Sequence, residues 1–484
     1  MAVTTKTPPR DVRAWTVVLA GIGSLLCALD VVVVSTALPT LQADLGANLS
    51  DLEWTINAYN LALACLILTG AALGDRFGRR RMFAAGIAVF TAASAAAALS
   101  DGVGQLIVAR VVQGAGAAVI LPLTLTLITE AFPAEKRGVA IGLWGGLGGL
   151  GVASGPVLGG AVTEGLSWEW IFWINVPLGV VMIPLALLKL RESRGPRPQL
   201  DLVGQMLVAS GLLGLTWAPA RAPVAGWGSA EVLGALACGV VLLAAFLRWE
   251  GRARYPMLPL RYFRNRGFSA ANGAVFLQFV SLLGSLFVIS QLFQLGLGNS
   301  PLDAGLRILV WTATPLFVAP VAGALGDRYG NRPFMIAGMV LQAVGLGLMA
   351  ALTEPGVGYG TLVAPLIVAG VGISMVFPTA ANAVTSAVPA ADAGVAAAVN
   401  NALRELGAVF GVAIAALVFA RNGSYASPSS FFDGAVPALW VTAAVAAAGA
   451  GVAVFVPAKR EDADAGAPAA DPDPQRPRVS ATTL

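Results

Sequence analysis

The chain has 484 residues, 57% of them hydrophobic and only 12% charged, about half the charged share of a soluble domain. So little charge excludes a soluble enzyme or binding module and implies an integral membrane protein. The 30 Lys and Arg against 26 Asp and Glu leave a formal charge of +4; the excess is topological, as shown below, and nucleic-acid binding is a poor account of it. Histidine is absent, which removes most metal and nucleophilic-triad chemistry. The acids are too scattered for a catalytic cluster, so neither an enzyme nor a bound cofactor or metal is expected. Cys27, Cys65 and Cys238 all fall inside apolar segments and form neither a disulfide framework nor a zinc spacing.

About 20 apolar residues cross the hydrocarbon core as a helix. Fourteen such stretches follow one another: 14–38, 52–73, 82–101, 104–128, 138–162, 169–190, 202–219, 231–248, 270–294, 304–325, 333–352, 361–386, 393–420 and 435–456. The expected fold class is all-α integral membrane. Residues 1–13 are polar and no small-residue cleavage site follows the first apolar run, so span 1 reads as an uncleaved anchor. All Lys and Arg except Arg110, Arg221, Arg307, Arg404 and Arg421 fall in the tails or in loops on one side. The positive-inside rule makes that side cytoplasmic, with both termini there, and the location the cytoplasmic (inner) membrane. The tail 457–484 is rich in Ala, Asp and Pro and reads as disordered.

Two short segments are near copies: Gly74-Asp75-Arg76-Phe77-Gly78-Arg79-Arg80 and Gly326-Asp327-Arg328-Tyr329-Gly330-Asn331-Arg332. Each joins two apolar spans, so they mark equivalent hairpins of a duplicated half. Eight spans of offset fit a six-helix bundle at 14–190 and a second at 270–456. Between them lies a linker, 191–269, with two inserted helices at 202–219 and 231–248. Internal repeats of this kind are the usual architecture of secondary transporters. Basic residues of the linker and hairpins are expected against anionic lipid headgroups.

Four motifs carry chemistry. Leu29-Asp30 lies in span 1, followed by Ala37-Leu38-Pro39; an acid inside a span is costly and marks an ion or substrate path, or else a structural ion pair. Arg110 in Arg110-Val111-Val112-Gln113-Gly114-Ala115-Gly116 stays charged when buried and needs a partner. Asp30 lies about eight residues from the far end of span 1 and Arg110 about six from that of span 4, so at ~1.5 Å per residue their depths nearly match. A pair between them is expected. The hairpins form the third motif, in which Gly78 permits a reversal with positive φ. Asp75 has two options, pairing with an arginine or sitting at a helix N-terminus. The fourth is span 5, where Gly151, Gly155 and Gly159 share a face that admits a close backbone and Pro156 is expected to kink the helix.

In this order along the full chain, these residues resemble the major facilitator superfamily, in its fourteen-helix drug–proton antiporter branch. The resemblance implies proton-coupled export by alternating access of hydrophobic compounds, cations among them. A second implied reading is export of an endogenous metabolite such as a self-made antibiotic, siderophore or amino acid. It also implies proton coupling at Asp30 and Arg110. Gating falls to Asp75, Arg76, Gly78, Arg79, Asp327 and Arg328 in the hairpins and to Gly155, Pro156 and Gly159 in span 5. The chain departs from the family pattern at Val32 and Ser35, where Thr and Asn are usual, at Ala71 for Gly, and at Glu169 for Arg.

Span 13 places Asn401 and Glu405 on one face; Glu405 is a second candidate for proton coupling or is neutralised by Arg404. Candidate substrate-binding residues are Asn57, Asn60, Gln113, Trp144, Phe276, Gln278, Trp311 and Asn401, because ligand pockets are mostly apolar with a few placed polar groups. Expected partners are a small hydrophobic substrate, protons and membrane lipids, with the monomer as the working unit and the proton gradient as the energy source.

Overall fold

The computed structural model describes residues 10–46, 49–133, 136–165, 167–195, 201–253, 256, 258–389, 392–424 and 427–458. In the first part of the chain the helices are α1 (Arg10–Leu45), α2 (Leu49–Phe77), α3 (Arg79–Ala98), α4 (Val103–Ala131), α5 (Arg137–Gly165), α6 (Trp170–Trp173) and α7 (Asn175–Lys189). After these come α8 (Leu202–Ala225) and α9 (Ala230–Glu250). The last group is α10 (Arg266–Gln291), α11 (Pro301–Thr312), α12 (Thr314–Tyr329), α13 (Arg332–Leu352), α14 (Tyr359–Ser386), α15 (Ala393–Asn422) and α16 (Pro428–Ala453). They make 14 stretches long and apolar enough to cross a membrane, with α6–α7 and α11–α12 each forming one span. No strand occurs among the described residues.

The two interrupted spans were not visible in the apolar pattern, and proline accounts for both. Pro315 has no N–H for the Trp311 carbonyl, and the Thr314 hydroxyl donates to that carbonyl instead, at 2.7 Å. Pro177 likewise removes a donor just past Ile174, which itself keeps helical angles of φ −59° and ψ −29°. Helix ends also run beyond the apolar runs. Span 1 starts at Arg10, inside the expected 1–13 tail, and continues to Leu45. Span 14 starts at Pro428 because Ser427 caps it, accepting from the Ser430 amide at 3.2 Å. Of the expected tails, 1–9 and 459–484 lie outside the described residues.

The pattern of pairing repeats. In the first group α1 packs on α5, α2 on α4, and α3 on both α4 and α7. In the last group α10 packs on α15, α12 on α14, and α13 on both α14 and α16. Both groups thus form bundles of one plan. Helices α8 and α9 pair with each other, and α8 also touches α2 and α15, so the insert lies along the seam between bundles. Leu233, Val240 and Val241 on α9 face outward, as expected of a lipid-facing surface.

The bundles are not equally joined at their two ends. At the end carrying the α2–α3 and α12–α13 hairpins, one apolar core runs through both bundles, including Ile67, Leu123, Val275, Val384 and Val399. A second shared cluster there joins Val17, Ile128 and Ile141 to Ala381 and Ala397. At the far end each bundle keeps its own core: Val33, Leu106 and Phe172 in one, Phe293, Trp311 and Phe431 in the other. The described structure is therefore closed at the hairpin end.

Candidate functional site

Three sites stand out, two of them where the bundles meet and one inside the first bundle, beginning with the hairpins. Gly78 and Gly330 turn the chain with φ of 108° and 88°, angles that a side chain rarely tolerates. Arg76 and Arg328 extend outward over the adjacent Phe77 and Tyr329 rings, at 5.1 and 5.2 Å. The two aspartates use different partners. Asp75 accepts from Arg79 Nε at 2.9 Å and Nη2 at 2.7 Å, and Arg79 also donates to Glu130. The pair abuts the first turn of α15 in the other bundle, where a Cβ on Gly394 would stand 3.2 Å from Asp75 Oδ1. Asp327 instead caps α5 of the opposite bundle through the Gly138 and Val139 amides, at 3.0 and 3.3 Å, and also accepts from Asn382 at 3.2 Å.

Helix α5 explains its own glycine content. On one face Gly151 and Gly155 meet α1: a Cβ would lie 2.7 Å from the Leu25 carbonyl and 2.6 Å from Val32 Cβ. On the opposite face Gly138 and Gly142 meet α12, with the Gly323 and Ala319 carbonyls 2.2 and 2.5 Å from such a Cβ. The helix is clamped between its own bundle and the other one. Gly159 is buried; α5 runs unbroken through Pro156, whose side chain is outside the described set.

The second site is a buried ion pair. Asp30 and Arg110 are 1% and 0% exposed, and Arg110 Nη1 donates to Asp30 Oδ2. Gln113 Nε2 and Asn175 Nδ2 both donate to Asp30 Oδ1, at 2.7 and 3.1 Å. Arg110 is held further by the Thr55 carbonyl at 3.0 Å and Gln113 Oε1 at 2.7 Å, and lies 4.4 Å from the centre of the Tyr59 ring. Gln113 also donates to Ser94 Oγ at 2.8 Å. Five helices, α1 to α4 and α7, thus contribute to one network around this carboxylate, with α4 and α7 touching it directly. Asp30 and Arg110 meet as their depths required, and Gln113 belongs with them. Thr55, Ser94 and Asn175 were missed. Only Asn175 had a signal, a lone polar residue in the apolar run Ile174-Asn175-Val176-Pro177.

The third site is a cavity of about 10 Å³ at mid-span, bounded by Trp144 from one bundle and by Gln278, Phe279, Phe377, Asn400 and Arg404 from the other. Trp144 stacks on Phe377 with centroids 5.5 Å apart. Arg404 lies 4.6 and 4.5 Å from the Phe279 and Phe377 ring centres and donates to Asn401 Oδ1 at 3.0 Å. Gln278 donates to the Ile373 carbonyl at 3.2 Å. Of the substrate-binding candidates, Trp144 and Gln278 line this cavity and Asn401 adjoins it through Arg404. The others do not gather there. Trp311 packs into the far-end core of its bundle, Phe276 sits edge-on to Phe410 at 6.4 Å, and Asn57 and Asn60 are half-buried on α2. Glu405 makes no ion pair among the described residues, with Arg404 or any other base.

Comparison with known proteins agrees with this architecture. The sequence pattern of the Major Facilitator Superfamily matches residues 20–295 and 273–482. The chain is 34% identical over 437 residues to the tetracenomycin C resistance and export protein of Streptomyces glaucescens, covering 90% of this chain and 81% of that protein. It is 34% identical over 419 residues to the multidrug efflux pump LfrA of Mycolicibacterium smegmatis, covering 86% and 82% of the two. The fold matches the solved proton:xylose symporter XylE with a TM-score of 0.69 at 17% identity, over 94% of this chain and 98% of that one. A match over both bundles, with relatives this similar along most of their length, places the chain in the Major Facilitator Superfamily as a multi-pass membrane transporter.

Proposed function

We propose that this transporter exports small hydrophobic compounds from the cytoplasm in exchange for protons, by alternating access. The observation that carries the proton step is the enclosure of Asp30: a carboxylate at mid-span, satisfied by one cation and two amides, is a group whose protonation changes many contacts at once. A proton on Asp30 removes the counter-charge of Arg110 and one acceptor position. Those partners sit on α4 and α7, whereas Asp30 itself rides on α1. Helix α1 packs on the glycine face of α5, whose other face meets α12. Movement of α1 is therefore felt at the contact between bundles. A difference of a few kcal/mol between two such packings is enough to shift their populations.

In this reading, which the positive-inside pattern of the loops supports, the hairpin end and both termini face the cytoplasm, so the described structure is closed inward. Export then begins when the hairpin ends part and admits a compound to the central cavity. The relatives named for antibiotic export and multidrug efflux support efflux over uptake. The energy source in this reading is the proton gradient, anionic lipids meet the basic hairpins, and one chain is the working unit.

The test is reconstitution in liposomes holding a pH-sensitive dye, with a proton gradient imposed and hydrophobic compounds added. Compound-dependent proton flux in the wild type, absent in Asp30→Asn, is expected. Flux undiminished by that substitution would remove Asp30 from the proton step and bring Glu405 forward.

A further inference from the structure

Two arginines, Arg110 and Arg404, lie at mid-membrane, and among the described residues Arg110 forms an ion pair whereas Arg404 does not. Arg110 has a carboxylate and two further hydrogen-bonding groups around it, the Thr55 carbonyl and Gln113 Oε1. Arg404, about 16 Å along α15 from its start at ~1.5 Å per residue, has one amide oxygen and two aromatic rings. No carboxylate forms an ion pair with it among the described residues; its neighbour Glu405 acts on it electrostatically without bonding to it, and lies within the same reach of Cys27 and Tyr59 in the other bundle. An enclosed arginine with no carboxylate bonded to it is costly, and intramembrane charges that persist at such cost serve binding or transport.

The surrounding atoms specify what would meet it. Arg404 Nε, Trp144 Nε1 and Gln278 Oε1 are enclosed and make no hydrogen bond, and all three residues border the one cavity. Two are donors and one is an acceptor. Phe377, stacked on Trp144, adds a flat apolar wall. We infer that Arg404 is the anchor for an acidic group on an aromatic substrate, a carboxylate or ionised phenol, with the Trp144 indole as second donor and Gln278 accepting from a hydroxyl on the same compound. The inference rests on the export reading and specifies its substrate class, replacing the expectation of cations. At about 10 Å³ the cavity has room for about one water, so no such compound fits while the hairpin end is closed. Its walls come from both bundles, Trp144 from α5 and the rest from α10, α14 and α15, so the same parting that opens the hairpin end enlarges it. Loading from the cytoplasm follows.

The test uses the full chain in lipid nanodiscs and three probes on one ring system: anthraquinone-2-carboxylate, its carboxamide, and the trimethylammonium-methyl analogue. Binding is read by calorimetry. The carboxylate is expected to bind at least tenfold more tightly than the carboxamide, Arg404→Gln to erase that preference, and Arg404→Lys to keep part of it. No preference for the carboxylate in the wild type, or a preference that survives Arg404→Gln, overturns the inference. Should Arg404→Gln fail to fold, the wild-type ranking and Arg404→Lys decide. Transport of the same probes in proteoliposomes separates the two claims. Proton-linked movement of the ammonium probe alone sinks the anion assignment and keeps export. Arg404-dependent binding of the carboxylate with no probe transported keeps the assignment and sinks export.

Discussion

The carboxylate of Asp327 sits at the N-terminus of α5, 3.0 Å from the amide of Gly138, so a residue of one bundle caps a helix of the other. Its homologue in the first hairpin, Asp75, is instead bound by Arg79 on the next helix of its own bundle. Duplicated motifs have thus taken different tasks. Asp327 is a direct latch between bundles. Asp75 builds a charged pair whose surface rests against α15.

Replacing Asp327 with Ala removes an acceptor for two amides and a negative charge at a helix N-terminus. Hydrogen bonds to a charged group contribute about 1.5–3 kcal/mol, so the open population at the hairpin end should grow about tenfold or more. Spin labels at Lys136 and Arg328, both exposed, report it as a longer distance by pulsed resonance. An unchanged distance distribution would show that Asp327 does not hold the closure.

The same contact depends on missing side chains. A Cβ on Gly138 would stand 2.2 Å from the Gly323 carbonyl, and one on Gly142 2.5 Å from that of Ala319; backbone cannot give way there. Gly138→Ala and Gly142→Ala should cut efflux at least tenfold by preventing closure. Gly234→Ala on α9, where nothing lies within 4 Å, should leave it unchanged. Equal efflux in all three variants would refute the argument.

Outside the membrane spans, the Tyr262 hydroxyl donates to Asp392 at the start of α15, tying the linker to the second bundle. Burial pushes the Tyr262 hydroxyl above its usual pKa, and the bond to Asp392 adds to the rise. A group raised in the folded state contributes stability that is fully present below its unfolded value of about 10 and fades as pH climbs through the folded one. Tyr262→Phe should therefore cost about 1–3 kcal/mol with the same loss of Tm at pH 6 and pH 9. A loss confined to one of those two values would contradict the assignment.

Hydropathy made fourteen spans legible because length and apolarity are what a bilayer demands, and the hairpin repeat made the two-bundle plan legible. Depth arithmetic was enough to bring Asp30 to Arg110, since helical rise is nearly constant. Partners at a distance were a different matter. Thr55 contributes only a backbone carbonyl, which no residue type announces, and Ser94 looks like any small residue in a span. The Phe279 and Phe377 rings at Arg404 have the same sequence signature as packing aromatics, and Trp311, equally plausible for the cavity, proved to be core. Glycines on α5 were readable as an interface, but not as two interfaces back to back.

Gln113 offers the sharpest separation between binding a compound and positioning a carboxylate. It donates to Asp30 and Ser94 and accepts from Arg110, and it is 0% exposed. Gln113→Ala keeps the ion pair but loosens it, so proton-coupled efflux should persist at several-fold lower rate. Its pH profile should shift by a similar amount for every compound tested, because Asp30 is common to all of them. Asp30→Asn strands a buried Arg110, a change that costs about 3–5 kcal/mol in such sites, and should lower Tm as well as abolish coupling. Were Gln113 a substrate contact, its removal would change KM unequally among compounds and leave the pH profile where it was. Efflux assays with three unrelated compounds across pH 5.5 to 8 distinguish these outcomes, and a compound-specific KM change would move Gln113 back to the binding site.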